Sequence, residues 1–476
     1  MSYPLQRVVA ALVLIACAHF EVANAQEAPA GIPVARVVLR PAESVPELVC
    51  PKRPRRPAPP ALDPDPPEMP SEQDIETLPQ ASIPEARMTL PPAPALPHPV
   101  GRMRVAVWGD SHMAAGFFTD ELVRIAGLDA DQARPALLPA SFGRAGVRLA
   151  VRKVCIDGAW RHESAHYGAS AVARSAPGLV SMVSSSPGAE VAVDLRAARG
   201  SVLPSSVRVL YEGQGAPLRL ALAVDGGTEE QVTLPPHSGP GALELVSSAP
   251  VSLLRLQLLE GTLQLQGVAL GLPESARLQL DVFGFPGATV EGWARASRDG
   301  VRAWFAPDAY DLVVLGYGTN EGNQHPFDAL AYRRSLNVAV AKLRGTFPQA
   351  QCVLIGPGDR GVLVRRSQKG HKAQKGQKKP KSQKTASALT VNPALLRFTR
   401  IHAEIAAIQA EVAQEAGCGF WGPWHTMGGA GGAYRWARMG LMAPDLIHFT
   451  VKGYQKLADS FATASGWSPT SVVHER

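Results

Sequence analysis

A Gly-Asp-Ser-His turn at residues 109–112 places a serine where nucleophilic chemistry is feasible. The apolar segment 104–108 before it has the pattern of a short strand, and apolar residues at helix-compatible spacing follow it. Such a turn presents the hydroxyl of Ser111 at the carboxyl edge of a sheet, beside the positive end of a helix. An Asp-Ser pair before a helix is also an ordinary N-cap, so this motif alone leaves catalysis and capping open.

Two later motifs carry donors suited to a developing oxyanion. Gly287 follows the strand predicted at 278–282, and a glycine there lets its backbone N–H approach a ligand oxygen. Asn320 follows the buried strand predicted at 312–315, where its side-chain amide could donate to the same kind of oxygen. A plain turn is the alternative explanation of the first motif. The alternative for the second is a dinucleotide-binding loop, which the GxGxxxG spacing of Gly316, Gly318 and Gly322 fits poorly.

A carboxylate and an imidazole stand together near the C-terminus. Asp445 and His448 lie three residues apart, just before the last predicted helix. This spacing lets the carboxylate fix the tautomer of the imidazole and stabilise its charged form. An isolated Asp-x-x-His pair is usually structural, so its importance here depends on the motifs that precede it.

The elements that must position these residues alternate between strand and helix. Strands are predicted at 104–108, 278–282, 312–315 and 352–355, and helices at 329–344, 395–416 and 453–464, among others. Alternation of this kind predicts a mainly parallel sheet covered by helices. Between 151 and 273 the pattern changes to short alternating strands separated by Gly, Pro and Ser, which predicts an inserted β-sandwich.

In this order, the four motifs resemble the signature blocks of the SGNH (GDSL) hydrolases. The resemblance covers roughly 102–155 and 277–465. It implies an SGNH-hydrolase-like (flavodoxin-like) three-layer α/β sandwich with a parallel sheet, interrupted by an all-β sandwich domain. It also implies a carboxylic ester hydrolase that needs neither a cofactor nor a metal ion.

The same resemblance assigns a role to each candidate residue. Ser111 is expected to be the nucleophile, His448 the base and Asp445 its partner. The oxyanion hole is expected to consist of the backbone N–H groups of Ser111 and Gly287 and the amide of Asn320.

A narrower resemblance, to bacterial peptidoglycan O-acetylesterases, rests on three features together. They are the Gly-Asp-Ser-His turn with Ala114, the β insert after the first strand–helix unit, and the Trp-rich segment before Asp445. This resemblance implies a carbohydrate-binding-module-like insert and an O-acetylated polysaccharide substrate, with peptidoglycan preferred. Sugar stacking is a tentative role for the aromatic side chains Trp421, Trp424 and Trp436, with core packing as the alternative.

Two other functions compete with this hypothesis. A GDSL lipase or arylesterase would use the same catalytic residues on other esters. A non-catalytic glycan-binding protein on the same scaffold would have no need for the pairing of Asp445 with His448.

The net charge of +7 has a local origin. Nine Lys or Arg residues and no acid lie within 365–384, so the rest of the chain is close to neutral and gives no support for a nucleic-acid partner. A solvated loop at 365–388 is predicted, and binding to an anionic polymer is the alternative. The protein is expected to be a monomer.

The N-terminus has the pattern of an export signal. Arg7 precedes an apolar run over 8–18, and Ala-Asn-Ala at 23–25 offers a cleavage site before Gln26. A lipobox-like sequence ending in Cys17 offers lipid anchoring to a membrane as the alternative. A periplasmic or extracellular protein is therefore expected.

Four cysteines remain after cleavage, namely Cys50, Cys155, Cys352 and Cys418. They lack the spacing of a zinc site, and both disulfides and buried free thiols are consistent with the sequence. The predicted organisation of the chain is a signal peptide (1–25), a Pro-rich disordered linker (26–100), a discontinuous hydrolase domain (101–155 and 277–476), a β-sandwich insert (156–276) and a basic disordered loop (365–388).

Overall fold

The computed structural model describes residues 32–51, 68–78, 101–168, 170–364 and 393–467. The predicted signal peptide, the lipobox cysteine Cys17 and the basic loop at 365–388 lie outside the described residues.

Eighteen strands and eleven α-helices occur within these ranges. The strands are β1 (Val34–Leu39), β2 (Met103–Gly109), β3 (Ala133–Arg134), β4 (Leu137–Pro139), β5 (Lys153–Asp157), β6 (Arg161–Ser164), β7 (Val180–Ser184), β8 (Glu190–Asp194), β9 (Val207–Gln214), β10 (Leu218–Val224), β11 (Glu230–Leu234), β12 (Ser238–Ser247), β13 (Leu253–Glu260), β14 (Leu263–Leu270), β15 (Leu278–Gly284), β16 (Leu312–Gly316), β17 (Gln351–Ile355) and β18 (Gly419–Trp421). The helices are α1 (Glu72–Thr77), α2 (Ser111–Ala114), α3 (Phe117–Ile125), α4 (Ala171–Ser175), α5 (Glu291–Arg295), α6 (Arg298–Arg302), α7 (Ala329–Thr346), α8 (Pro393–Ala416), α9 (Pro423–Thr426), α10 (Gly432–Arg438) and α11 (Val451–Ser465).

Six parallel strands form the sheet of the α/β domain, in the order β18-β17-β16-β2-β15-β3. Side chains alternate between its two faces, as the period of a strand requires. On β2, Trp108 packs with α5 and α7 on one face, and Val107 packs with α3 and α11 on the other. Both faces of the sheet are therefore covered by helices, which confirms the predicted three-layer α/β fold.

The inserted β domain consists of two sheets packed face to face. One has the order β11-β10-β13-β8-β5, and the other the order β1-β12-β9-β14-β7-β6 with β4 also paired to β14. Branched apolar side chains from both sheets fill the space between them, including Val193, Leu222 and Leu256. This arrangement confirms the predicted β-sandwich inserted into an α/β domain.

The boundary between the two domains lies earlier than the sequence suggested. Strand β5 contains residue 155, the end predicted for the first hydrolase segment, yet it pairs with β8 of the sandwich. Strand β4 also pairs with the sandwich strand β14. The insert therefore begins soon after β3, because backbone pairing rather than composition decides which sheet a strand joins.

The prediction of a disordered linker over 26–100 is wrong for two described segments. Strand β1 adds a parallel edge strand to β12, and Val37 and Leu39 enter the core of the sandwich. Helix α1 is capped by Ser71 and buries Ile75. Both segments are short and are flanked by prolines, which explains why composition alone concealed them.

Two disulfides connect distant parts of the chain. Cys50 is bonded to Cys155 on β5, and Cys352 on β17 is bonded to Cys418, just before β18. The first attaches the N-terminal segment to the sandwich, and the second joins β17 to the start of its neighbour β18 at one edge of the parallel sheet. No helix within the described ranges is long and apolar enough to cross a membrane.

Candidate active site

Ser111 is the first residue of α2, immediately after the central strand β2. The preceding residue, Asp110, caps this helix, because its Oδ1 accepts from the backbone N–H of His112 at 2.9 Å. The backbone N–H of Asp110 donates to the carbonyl of Gly316 on β16 at 3.1 Å. The turn is thus attached to the neighbouring strand. The same motif caps the helix through Asp110 and carries the candidate nucleophile Ser111.

A glycine on β15 allows α2 to lie directly on the sheet. A Cβ at Gly284 would come within 2.2 Å of the backbone nitrogen of Ala114. Only a residue without a side chain permits this approach, and the approach holds Ser111 at the carboxyl edge of the sheet.

Ser111, His448 and Asp445 form a continuous chain of hydrogen bonds. The Oγ of Ser111 lies 2.9 Å from the Nε2 of His448. The Nδ1 of His448 lies 2.7 Å from the Oδ2 of Asp445. With Nδ1 protonated and donating to the carboxylate, Nε2 is the acceptor for the serine proton. The structure therefore brings together the three residues that the sequence predicted.

A tight turn fixes the carboxylate of Asp445. Its Oδ1 accepts from the backbone N–H groups of Ile447 and His448, both at 2.9 Å. Leu446, which directly follows Asp445, adopts a left-handed conformation with φ 55°. Partial burial favours a higher pKa for Asp445, but the hydrogen bonds from His448 and Ile447 outweigh it, so the net pKa is lowered. The residue is thus kept as the anion that orients the imidazole.

The two predicted oxyanion donors follow the strands on either side of β2. Gly287 has φ +84°, a conformation that favours glycine, and it is exposed. The Nδ2 of Asn320 donates to the carbonyl of Ala288 at 2.8 Å, so the asparagine is attached to the residue next to Gly287. One amide N–H is used in this bond, and the amide has a second N–H to offer to a ligand.

The buried carboxylate of Glu321 accepts hydrogen bonds from the same two loops. Its Oε1 accepts from the backbone N–H of Val290 at 2.8 Å, and its Oε2 accepts from that of Gly318 at 3.1 Å. Burial raises the pKa of Glu321 to about 7. Sequence reasoning missed this role, although an acidic residue directly after Asn320 at the end of an apolar strand was an available signal.

A second histidine, His112, lies close to His448 without sharing its contacts. The two ring centroids are 5.3 Å apart, and the Nδ1 of His112 pairs with the hydroxyl of Tyr454 at 3.1 Å. Burial lowers the pKa of His112 to about 3, so its ring is neutral at ordinary pH. The imidazole that contacts Ser111 is that of His448.

The tentative role in sugar stacking is wrong for two of the three tryptophans. Trp421 is 8% exposed and packs against Phe118 and Phe461, and Trp436 is 3% exposed and packs against Phe449. Rings buried in this way cannot lie against a polymer. Trp424 is only partly buried, and its role in sugar stacking stays a prediction.

The comparison with protein families agrees with this geometry. Residues 265–456 match the model of the GDSL-like Lipase/Acylhydrolase family. The matched residues lie mainly in the α/β domain, and the chain is an esterase. The matched segment contains Gly287, Asn320, Asp445 and His448, whereas Ser111 precedes it, on the other side of the β insert.

One solved structure supports the fold of this esterase. A peptidoglycan O-acetylesterase matches with a TM-score of 0.56 and 20% identity, covering 84% of this chain and 97% of that one. A family two carbohydrate esterase from Clostridium thermocellum, solved with cellohexaose, covers 65% of this chain and all of its own at 11% identity, with a TM-score of only 0.23. A search of curated proteins finds no match.

Proposed function

We propose that this GDSL-like esterase removes O-acetyl groups from a cell-wall polysaccharide, with peptidoglycan as the preferred substrate, by means of a Ser111–His448–Asp445 triad. The observation that carries the proposal is the hydrogen-bond chain from the Oγ of Ser111 through the imidazole of His448 to the carboxylate of Asp445. This arrangement has the donor and acceptor order that serine hydrolysis requires.

In the acylation half of the reaction, the Oγ of Ser111 forms a bond to the acetyl carbonyl carbon. Its proton passes to the Nε2 of His448, and Asp445 stabilises the resulting imidazolium. The carbonyl oxygen becomes an oxyanion, for which the backbone N–H groups of Ser111 and Gly287 and the amide of Asn320 are the donors. One such donor typically contributes about 3 kcal/mol of transition-state stabilisation.

The intermediate then collapses, and the bond between the carbonyl carbon and the sugar oxygen breaks. The proton on Nε2 of His448 moves to that sugar oxygen, which leaves as a hydroxyl. A water molecule attacks the acetylated Ser111 and gives its proton to His448. Acetate departs and the serine recovers its proton, so the enzyme returns to its starting state.

Two observations support a polysaccharide substrate. The fold matches that of a peptidoglycan O-acetylesterase over 97% of the length of that protein. The acylhydrolase domain is also interrupted by a β-sandwich that supplies side chains close to Gly287, including the exposed ring of Tyr167. A long acyl chain would need an apolar surface, whereas a polar polymer is compatible with this open edge of the site.

The test is acetate release from O-acetylated peptidoglycan, compared with O-acetylated xylan and a long-chain ester. Ser111→Ala should remove the activity, by roughly 10⁴-fold or more, without changing the melting temperature appreciably. Ser185→Ala, at an exposed serine of the sandwich, is the matched control and should remain fully active. A folded Ser111→Ala protein that keeps wild-type activity contradicts the mechanism.

The same experiments separate the alternatives. Preference for the long-chain ester would indicate a lipase or arylesterase with the same triad. A wild-type protein that binds glycan but neither hydrolyses any ester nor reacts at Ser111 with a fluorophosphonate probe would indicate a non-catalytic glycan-binding protein.

Export to the periplasm or cell exterior belongs to this proposal. The signal-like N-terminus supports it, and so do the disulfides Cys50–Cys155 and Cys352–Cys418, since structural disulfides are typical of oxidising compartments. Cell fractionation tests this point, and mass spectrometry of the mature N-terminus separates cleavage before Gln26 from lipidation at Cys17.

A further inference from the structure

Tyr167 is the only exposed aromatic side chain among the Phe, Tyr and Trp residues that the structure describes. Its exposed fraction is 46%, whereas the others are buried or partly buried. Exposing a large ring forgoes the free energy that its burial would release. A single exposed apolar side chain is common at protein surfaces, so the position of this ring, rather than its exposure alone, makes it a candidate for ligand binding.

The ring stands at the edge of the candidate active site. A Cβ on Gly287 would lie 3.9 Å from the Cε1 of Tyr167, which is ordinary van der Waals contact. Gly287 is one of the predicted oxyanion donors, so the tyrosine is a direct neighbour of the position where the ester carbonyl would lie. It belongs to the segment between β6 and α4, which the β insert contributes.

Its neighbour, His166, holds this segment against the oxyanion loop. The Nδ1 of His166 lies 2.7 Å from the carbonyl of Thr289, two residues beyond Gly287. Burial lowers the pKa of His166 to about 4, so the ring is neutral and its Nδ1–H donates to that carbonyl. The backbone next to Tyr167 is thus anchored, which limits the entropy lost when the ring binds a ligand.

The surroundings of the ring are suited to a sugar. Tyr167 lies 6.3 Å from the buried Phe285 ring, measured between centroids, and the exposed Arg144 places its guanidinium 5.1 Å from the same ring. An aromatic face accommodates the C–H face of a pyranose, and a guanidinium supplies donors to hydroxyl or carboxylate oxygens. The combination is typical of a carbohydrate subsite.

We propose that Tyr167 is a specificity-determining residue that stacks on the pyranose ring carrying the ester, so that the β insert contributes directly to the substrate cleft. The inference rests on the proposed function, since it assigns a part of the same site to the sugar. The insert then acts as one wall of the active site as well as a separate domain.

Three substitutions test the stacking role. Tyr167→Leu and Tyr167→Ala remove the aromatic face and should lower kcat/KM for acetylated polysaccharide fragments about 10-fold, mainly through KM. Tyr167→Phe keeps the face and should stay within about twofold of the wild type. For Tyr167→Leu and Tyr167→Ala, the loss of kcat/KM on 4-nitrophenyl acetate should be clearly smaller than the loss on polysaccharide fragments, because this ester has no pyranose ring to stack.

Val38→Ala is the control, since it shortens another exposed apolar side chain of the sandwich, on β1. It should leave both substrates unaffected. Equal losses on both substrates for Tyr167→Leu would overturn the inference and indicate that the ring merely supports the Gly287 loop. Unchanged kinetics on the polysaccharide would overturn it as well.

A binding measurement separates this inference from the proposed function. In the Ser111→Ala background, Tyr167→Leu should weaken the affinity for peptidoglycan fragments about 10-fold by calorimetry. If the wild type releases no acetate from any polysaccharide but binding still depends on Tyr167, the proposed function fails and the subsite stands. If acetate is released and neither kinetics nor affinity responds to Tyr167, the subsite fails and the function stands.

Discussion

At the scale of single residues, Glu321 is the group on which both candidate oxyanion loops depend. Its carboxylate accepts one backbone N–H from each loop, at Val290 and at Gly318. Its pKa is raised by burial from 4.5 to about 7, so the folded protein binds this proton more tightly than the unfolded chain does. The resulting stabilisation is complete below about pH 4.5 and is lost as the pH rises through about 7.

Glu321→Gln should therefore change the pH dependence of stability. In the wild type, ionisation of Glu321 should lower the free energy of unfolding as the pH rises from 5 to 8. This contribution should be at most roughly 3 kcal/mol. The amide of the variant does not titrate, so this part of the slope should disappear in denaturant titrations at the two pH values. The amide also places an N–H against one of the two backbone donors, so kcat should fall.

The exposed Glu229 supplies the control for this measurement. Glu229→Gln should keep both the slope and kcat of the wild type. If Glu321→Gln retains the full wild-type slope, the carboxyl is not protonated in the folded state near neutral pH.

The sequence predicted the site residues that short local motifs identify, and it missed those that join the site only through tertiary contacts. The Asp445–His448 pair spans only four residues, and Ser111 and Asn320 each lie within four residues of the end of a strand. Tyr167, by contrast, lies 120 positions before Gly287 and meets it only because the sandwich folds back onto the α/β domain. No periodicity in the sequence encodes that contact.

At the scale of elements, the close packing of α2 on β15 determines where the candidate nucleophile stands. Gly284→Ala would place a methyl group 2.2 Å from the backbone nitrogen of Ala114. The helix must then move away from the sheet, since the obstacle is backbone rather than a flexible side chain. Esterase activity should fall at least 100-fold, and the free energy of unfolding by about 1–3 kcal/mol.

A glycine within α7 provides the matched substitution. Gly345→Ala meets only the side chain of Arg298 and favours the helical conformation, so it should keep full activity and leave stability equal or slightly higher. Measured kcat values and urea titrations of the two variants test this comparison. Wild-type kcat in Gly284→Ala would mean that the position of Ser111 does not depend on this contact.

Most elements of the α/β domain were predictable, because periodicity and length agree there. The helices predicted at 329–344 and 395–416 correspond to α7 (Ala329–Thr346) and α8 (Pro393–Ala416). Strand β1 was not predictable, since it is six residues long and proline-rich sequence surrounds it. Its stability comes from pairing with β12, more than 200 residues later in the chain, rather than from local preference.

At the scale of the whole molecule, the N-terminal segment connects the β insert with the candidate site. Strand β1 completes one sheet of the sandwich, and Cys50 is bonded to β5. Farther along, α1 and Leu78 pack in a cluster with Leu446, which directly follows Asp445 in the turn that leads to His448. The segment that composition marked as a linker therefore contributes to the support of the turn that carries the acid and the base.

Leu78→Ala tests this support because Leu78 is fully buried in that cluster. Removing its side chain leaves a cavity beside Leu446 and should cost about 2–4 kcal/mol in the free energy of unfolding. The Asp445–His448 turn loses part of its packing, so kcat on 4-nitrophenyl acetate should also fall several-fold at a temperature where the variant remains folded.

Glu76→Ala, on the exposed side of α1, should change neither quantity. Reduced stability with unchanged kcat would mean that α1 stabilises the domain without holding the catalytic turn, and unchanged stability would mean that α1 does not pack there in solution.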